Sequence, residues 1–497
     1  MKLEPIIGLE IHIQLGTNSK MFCSCDNRSE LLPPNTAICP TCLAQPGTLP
    51  VPNAGALRSA IKLGLALGCS IAPRLKFDRK HYFYPDLPKG YQISQFDEPI
   101  CENGTFTFHV PGTKVDRSEI TIGIERAHLE EDSAKSFHGS SGETLVDFNR
   151  AGSPLVETVT RPDFKTPLEA KTFLQEMRLL VRALGISDGD MEKGHMRCDA
   201  NISMRPVGDT KLYTKTEIKN MNSFRSVERA IAYEIERQTA LWEAGTPPVV
   251  GSTRNWNDVE QKTTESRTKE AAQDYRFFPE PDIPPFIVGS LVEEMRRELP
   301  ELPSAKYIRF QKEYGFSAID ARQLIENDEL ATYAEHVASE FLNWAKDSDP
   351  DANEDGIKTK SAKLLSGWLL SKYPGALNEL GRLFTSETVT AENFAEFLTL
   401  IYQSKINSTS AMALLKKMIE TGDHPHHLLE SENLSGADEG ATSTWIDEVI
   451  AENPAQVAGF KSGKEALLQF LVGQVMKKSR GTADALSVAE EIRSRLL

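Results

Sequence analysis

Apolar and polar residues alternate strictly along several stretches of the first half of the chain. In Leu9-Glu10-Ile11-His12-Ile13-Gln14-Leu15 the odd positions are apolar, and Glu10, His12 and Gln14 share the other face. A period of two marks a strand with unlike faces. From Arg197 to Met204 the even positions Cys198, Ala200, Ile202 and Met204 are apolar, while Arg197, Asp199, Asn201 and Ser203 are polar. The turn-like Pro206-Val207-Gly208-Asp209 leads to a second such strand, with Lys215, Glu217 and Lys219 on one face, and the pair predicts a hairpin. Ile120, Ile122 and Ile124 predict a further strand running into Arg126-Ala127-His128-Leu129-Glu130-Glu131-Asp132. Helical spacing replaces this alternation in two places. Pro167 to Leu184 carries Leu168, Phe173, Met177, Leu180 and Val181, and Val227 to Leu241 carries Ile231, Ile235 and Leu241.

A sheet with one wet face alternates in the same way. Solvent faces, however, are usually mixtures of Lys, Glu, Thr and Ser, whereas these polar positions repeatedly pair acids with His, Arg or Asn. A converging polar site is therefore the expectation, with a plain wet face as the alternative. Beyond residue 292 the pattern turns helical, and the soft stretch Ser431 to Ser443 reads as a loop or linker within the last hundred residues.

At 497 residues the chain is too long for one ordinary core, so two to four domains are expected. No apolar run approaches the roughly 20 residues of a membrane helix, and Glu10 and His12 interrupt any signal-like segment, which predicts a cytoplasmic protein. The net charge of −15 opposes simple docking on nucleic acid, so such contact needs local basic patches or partner subunits.

Four of the seven cysteines form Cys23-Ser24-Cys25 and Cys39-Pro40-Thr41-Cys42. Four thiolates at such spacing can close a tetrahedral zinc site with no open position, which would be structural. Four reduced thiols packed in a knuckle are the alternative. The strand carboxylates Glu10, Glu130, Glu131, Glu157, Asp199 and Glu217, with His12 among them, are candidate ligands for Mg²⁺ beside the phosphates of ATP. No GxxxxGK[ST] loop occurs, so phosphate would depend on metal and basic side chains. Lys80 to Gln92 interleaves Tyr82, Phe83, Tyr84 and Tyr91 with Lys80 and Lys89, either to stack on a base or to pack inward. No Ser-Ser-Lys amidase signature is present.

Taken in order, several long motifs resemble one family. They are Gly8 to His12, the cysteine pairs, Phe83 to Gln95, His128 to Asp132, Asp147 to Glu157, Arg197 to Ser203, Lys215 to Ser223 and Asp274 to Asp282. Together with Phe470 to Lys477 near the C-terminus, they resemble the B subunit of the heterotrimeric aspartyl/glutamyl-tRNA amidotransferases.

The resemblance implies an α+β chain: a glutamine-synthetase-like cradle with an antiparallel sheet over 1–292, including a four-cysteine knuckle at 23–42, a helical domain over 293–405 and a small all-α tail over 406–497. It further implies a ligase subunit that uses Mg²⁺ and ATP to activate the carboxylate of Glu-tRNA(Gln) or Asp-tRNA(Asn) as an acyl phosphate. Ammonia would come from an amidase A subunit, with a small C subunit completing a heterotrimer. The family's metal and ATP positions fall on Glu10, His12, Glu130, Glu131, Glu157, Asp199 and Glu217. Lys89, Arg150, Lys215 and Lys219 are expected to steady phosphate charge. Lys461 to Arg480 carries five basic residues against Glu465, a local +4 where the family's tail touches tRNA. Thr264 to Lys269 departs from the family's basic run, and the acidic loop around Asp347 to Glu354 looks like a local insertion.

Overall fold

A computed structural model describes residues 2–110, 119–139, 141–268, 275–348, 353–432, 439–479, 483 and 485–496. Asp274, Lys269, Arg480 and much of the acidic loop after Asp347 lie outside these residues. The chain forms two compact units, Met1–Ser304 and Ala305–Leu497.

The first unit is mixed α and β, built on a nine-stranded sheet. Its strands in chain order are β1 (Leu3–Gln14), β2 (Ser70–Ile71), β3 (Cys101–His109), β4 (Glu119–Glu131) and β5 (Pro154–Thr160). They are followed by β6 (Met196–Pro206), β7 (Thr216–Lys219), β8 (Ser252–Asn257) and β9 (Lys262–Thr268). Across the sheet they lie in the order β9-β8-β7-β6-β1-β5-β4-β3-β2. Every pairing is antiparallel except β7 with β8, so the sheet is not wholly antiparallel.

Central β1 shows how the pattern becomes a layer. Leu9, Ile11, Ile13 and Leu15 are buried, as are Cys198, Ala200, Ile202 and Met204 on β6. All of these but Met204 join one core with helices α1 (Ala54–Ala66), α2 (Pro167–Ala183) and α3 (Phe224–Glu243). Each helix starts at a side-chain cap. Asn53 accepts from Gly55 and Ala56, Thr166 accepts from the Glu169 N–H with Pro167 in the first turn, and Ser223 accepts from Ser226. The helices cover the apolar face and leave the other face of the sheet to polar residues.

One irregularity decides what that polar face contains. On β4 the buried apolar residues run Ile120, Ile122, Ile124 and then Ala127, Leu129, so the apolar phase switches from even to odd. Opposite β5, Thr160 pairs with Ile124 but Val159 pairs with Arg126, leaving Glu125 as an extra residue. This β-bulge re-aims the rest of the strand. Without it His128 and Glu130 would point into the core; with it they join the polar face. A small sheet of Asp78–His81, Tyr91–Ser94 and Phe278–Pro279 supplies further residues to the same region.

The second unit is helical throughout its described residues. One core gathers residues from Phe310 to Leu429, including Phe341, Trp368, Tyr373, Phe394 and Phe397, and another gathers Ile446 to Leu496. Among the described residues no helix is long and apolar enough to cross a membrane.

Candidate active site and metal centres

Strand register assembles the site as rows across the sheet, since residues opposite one another share a face. Glu10 on β1 stands opposite Asp199 on β6, and His12 stands opposite Arg197 on one side and Glu157 on the other. Glu157 in turn faces His128 on β4, Leu155 faces Glu130, and Asn201 faces Glu217 on β7. Seven expected residues, Glu10, His12, Glu130, Glu157, Asp199, Glu217 and Lys219, thus line one cavity of about 700 Å³.

His12 Nε2 lies 3.5 Å from Glu157 Oε2, 3.6 Å from Glu130 Oε1 and 3.8 Å from Glu10 Oε1. His128 Nε2 also lies 3.5 Å from Glu157 Oε2. Burial works against charge on His12, but its hydrogen bond to Glu157 and the charges of Glu130 and Glu10 lift it to about 9. Burial and the nearby Glu157 raise Glu10, while burial of Glu157 is outweighed by His128 and His12, which hold it well below the carboxylate range. Glu10, His12 and Glu157 offer one set of ligand atoms within 4.8 Å of one another, and His128, Glu130 and Glu157 offer a second. Glu157 belongs to both. Glu130 Oε2 and Asn201 Oδ1 are buried without a hydrogen-bond partner. Concentrated oxygen donors with unsatisfied lone pairs fit hard divalent cations.

Cations line the same cavity. Lys219 Nζ hydrogen-bonds Asp199 and lies 3.1 Å from Glu217 Oε1, and Glu217 also accepts from Thr253 Oγ1 at 3.0 Å. Lys80, Arg126 and Arg197 complete the basic set. Arg197 donates to Asp132 at 2.7 Å. The rim is aromatic: Phe96 and Phe277 stack with centroids 4.0 Å apart, and Tyr82 and Tyr275 pack edge to face beside Lys80. Phe83 is 85% exposed rather than packed inward. Mixed acid and base around one cavity can bind a polyphosphate through both metal and direct contacts.

Four expected residues lie elsewhere. Glu131 alternates to the face opposite Glu130, where Lys89 Nζ donates to it at 2.6 Å and the Ile93 N–H at 2.9 Å. Lys89 therefore belongs to that buried pair. Arg150 spends its guanidinium on the carbonyls of Ser133 and Ala134, at 3.0 and 2.8 Å, and flanks Asp132. Lys215 is exposed just before β7 begins. The sequence pattern did not mark His128, Arg126, Arg197 and Asp132 as site residues, and it offered Lys80 only within the aromatic segment. His128 and Arg126 were signalled by the change of apolar phase on β4, and Arg197 by its place in the polar row of β6.

The four knuckle sulfurs, of Cys23, Cys25, Cys39 and Cys42, all lie within 4.8 Å of one another. A tetrahedral zinc with bonds of about 2.3 Å requires separations of about 3.8 Å, so the cluster needs little contraction. The hydrogen bond from Cys23 pulls Cys42 down to about 4, helped by the Cys39 N–H and the Lys20 ammonium, while burial pushes Cys25 up to about 11. In the C-terminal segment Lys461, Lys464 and Lys477 are exposed, whereas Lys478 is tied to Glu448 and Glu452 at 2.7 Å each.

The GatB/GatE catalytic domain family matches residues 5–293, and the GatB domain family matches residues 353–496. Among similar proteins is the B subunit of the aspartyl/glutamyl-tRNA(Asn/Gln) amidotransferase of Caldanaerobacter subterraneus subsp. tengcongensis, 42% identical over 501 positions and covering all of both chains. The protein of the same name from Rippkaea orientalis is 44% identical, covering 97% of this chain and 95% of its own. That from Thermoanaerobacter pseudethanolicus is 43% identical, covering 97% of each. The site and fold thus sit in a ligase class of enzymes, the tRNA amidotransferases. This chain belongs to the family of their B subunits.

Proposed function

We propose that this chain is the synthetic subunit of an assembly that amidates the carboxylate carried by Glu-tRNA(Gln), Asp-tRNA(Asn) or both. The observation that carries this reading is the meeting of eight acid or histidine side chains, seven of them on five strands, with four basic side chains in one cavity. An RNA-binding scaffold has no use for such a set, because clustered acids repel phosphate.

Glu10, His12, Glu130 and Glu157 would hold Mg²⁺ on one side of the cavity, with Asp199 and Glu217 across the row. Bound magnesium would offset phosphate charge while ATP supplies the phosphoryl group that turns the substrate carboxylate into an acyl phosphate. Lys219, Lys80 and Arg126 in the lining would receive phosphate oxygens, and Arg197, which donates to Asp132, would orient it at the cavity wall. Ammonia then displaces phosphate. Its source would be a separate amidase subunit, because no amidase signature occurs in this sequence, and a small third subunit would complete the complex. Residues from 406 onward, with Lys461, Lys464 and Lys477 exposed, form the proposed tRNA-contacting tail. The knuckle would carry zinc as a closed, structural site.

The test is amidation by the reassembled complex on each misacylated tRNA. Glu10→Ala and Glu217→Ala should each abolish it while the amidase still hydrolyses glutamine. Unchanged amidation in either variant would remove that residue from the site, and equal turnover of a small free carboxylate would overturn the tRNA assignment.

A further inference from the structure

Lys20 is fully buried, which is rare for a lysine without a carboxylate beside it. It lies in the loop that leaves β1, where its N–H donates to the Cys25 carbonyl at 3.0 Å and the Met21 N–H donates to that of Gly152 at 2.7 Å. These bonds fix the direction of the side chain. Its Nζ reaches the Phe148 carbonyl at 3.4 Å and Cys42 Sγ at 3.8 Å. Among the described residues no acid is ion-paired with it. Glu131, which borders the same Gly152, is occupied by Lys89 and the Ile93 N–H.

A buried ammonium is costly unless an anion faces it. One carbonyl does not meet that need. Four thiolates around a divalent ion do, because they leave the site with a net charge of about −2. The Cys39 N–H donates to Cys42 Sγ at 3.1 Å, so this sulfur receives both an N–H and an ammonium and is where negative charge concentrates. Gly152, at φ +85°, closes the pocket; a Cβ there would sit 3.6 Å from Lys20 Cδ and 3.7 Å from Cys42 Cβ.

We infer that Lys20 is the resident counter-charge of the metal-loaded Cys23–Cys25–Cys39–Cys42 site, lowering its net charge to about −1 and setting how tightly metal is held. It is a positioning residue for the metal centre and not a ligand.

The experiment uses the full chain, loaded with zinc and titrated with a coloured chelator, comparing wild type with Lys20→Met. The variant should still bind one zinc at saturation, with its Kd raised about 10–100-fold, as outer-shell partners typically contribute. The zinc-induced rise in Tm should shrink accordingly. A merely structural role would lower Tm equally with and without zinc and leave that rise intact. That result, or an unchanged Kd, overturns the proposal. Should Lys20→Met fail to fold, Lys20→Gln, which keeps a donor for the Phe148 carbonyl but drops the charge, is read by the same two measurements.

Discussion

Glu157→Gln is the most informative perturbation of the candidate site. The change is nearly isosteric and removes the one carboxylate shared by both sets of ligand atoms. Glu157 Oε2 stands 3.5 Å from His12 Nε2, where opposite unit charges at an effective dielectric constant near 20 attract by about 5 kcal/mol before desolvation offsets part of it. An opposite charge at that range typically moves a pKa by roughly 1–3 pH units. His12, lifted to about 9 in the metal-free protein, should therefore titrate closer to its ordinary 6.5 once Glu157 is neutral. Histidine-labelled NMR titration of the full chain, with His12→Asn to assign the signal among ten histidines, reads this directly. In the assembled complex the same variant should lose at least about 100-fold in kcat for amidation, a floor set by what outer-shell partners of a metal already contribute. Glutamine hydrolysis by the amidase should persist. A His12 titration unchanged from wild type, or amidation within about twofold, would refute the shared-ligand geometry.

Three other outcomes follow from the same structure. The raised pKa of His12 means that its contribution, roughly 3 kcal/mol for a lift from 6.5 to about 9, is full below pH 6.5 and is lost as pH rises through 9. The urea midpoint of metal-free protein should fall over that window and fall less with Mg²⁺ present; a flat profile would contradict it. Deleting Glu125 removes the bulge and turns His128 and Glu130 toward the core, so the variant should be insoluble or lack the native near-UV spectrum, and a stable, active deletion would disprove the bulge's role. Lys89→Met leaves Glu131 buried without its partner and should destabilise the first unit by about 3–5 kcal/mol in urea titrations, with a loss under 1 kcal/mol counting against a buried pair.

Much of this was legible in the sequence because the sheet buries one face only. Strict alternation set Glu10 and His12 on one face of β1 and Arg197 and Asp199 on one face of β6, and register brought the two faces together. Glu131 was misgrouped because its motif sets it next to Glu130, and neighbours on a strand point to opposite faces. Arg150 and Lys89 carry the right charge, but no pattern reveals that their donors are spent on carbonyls and on Glu131. The bulge was visible only as a shift of apolar residues from even to odd positions after Ile124, a signal easily taken for noise. Lys20 gave none: a single lysine beside cysteines looks like surface until its burial is seen.

β1 lies mid-sheet with β6 and β5 hydrogen-bonded on either side. Sliding it by one residue would drive Glu10 and His12 among the leucines and isoleucines and strand Leu9 and Ile11 in the cavity. The alignment that builds the core is thus the alignment that arms the site. Selection for folding alone would then hold these two residues in place relative to their neighbours, and variants that shift the chain here should be lost to the cell as misfolded protein rather than accumulate as inactive enzyme.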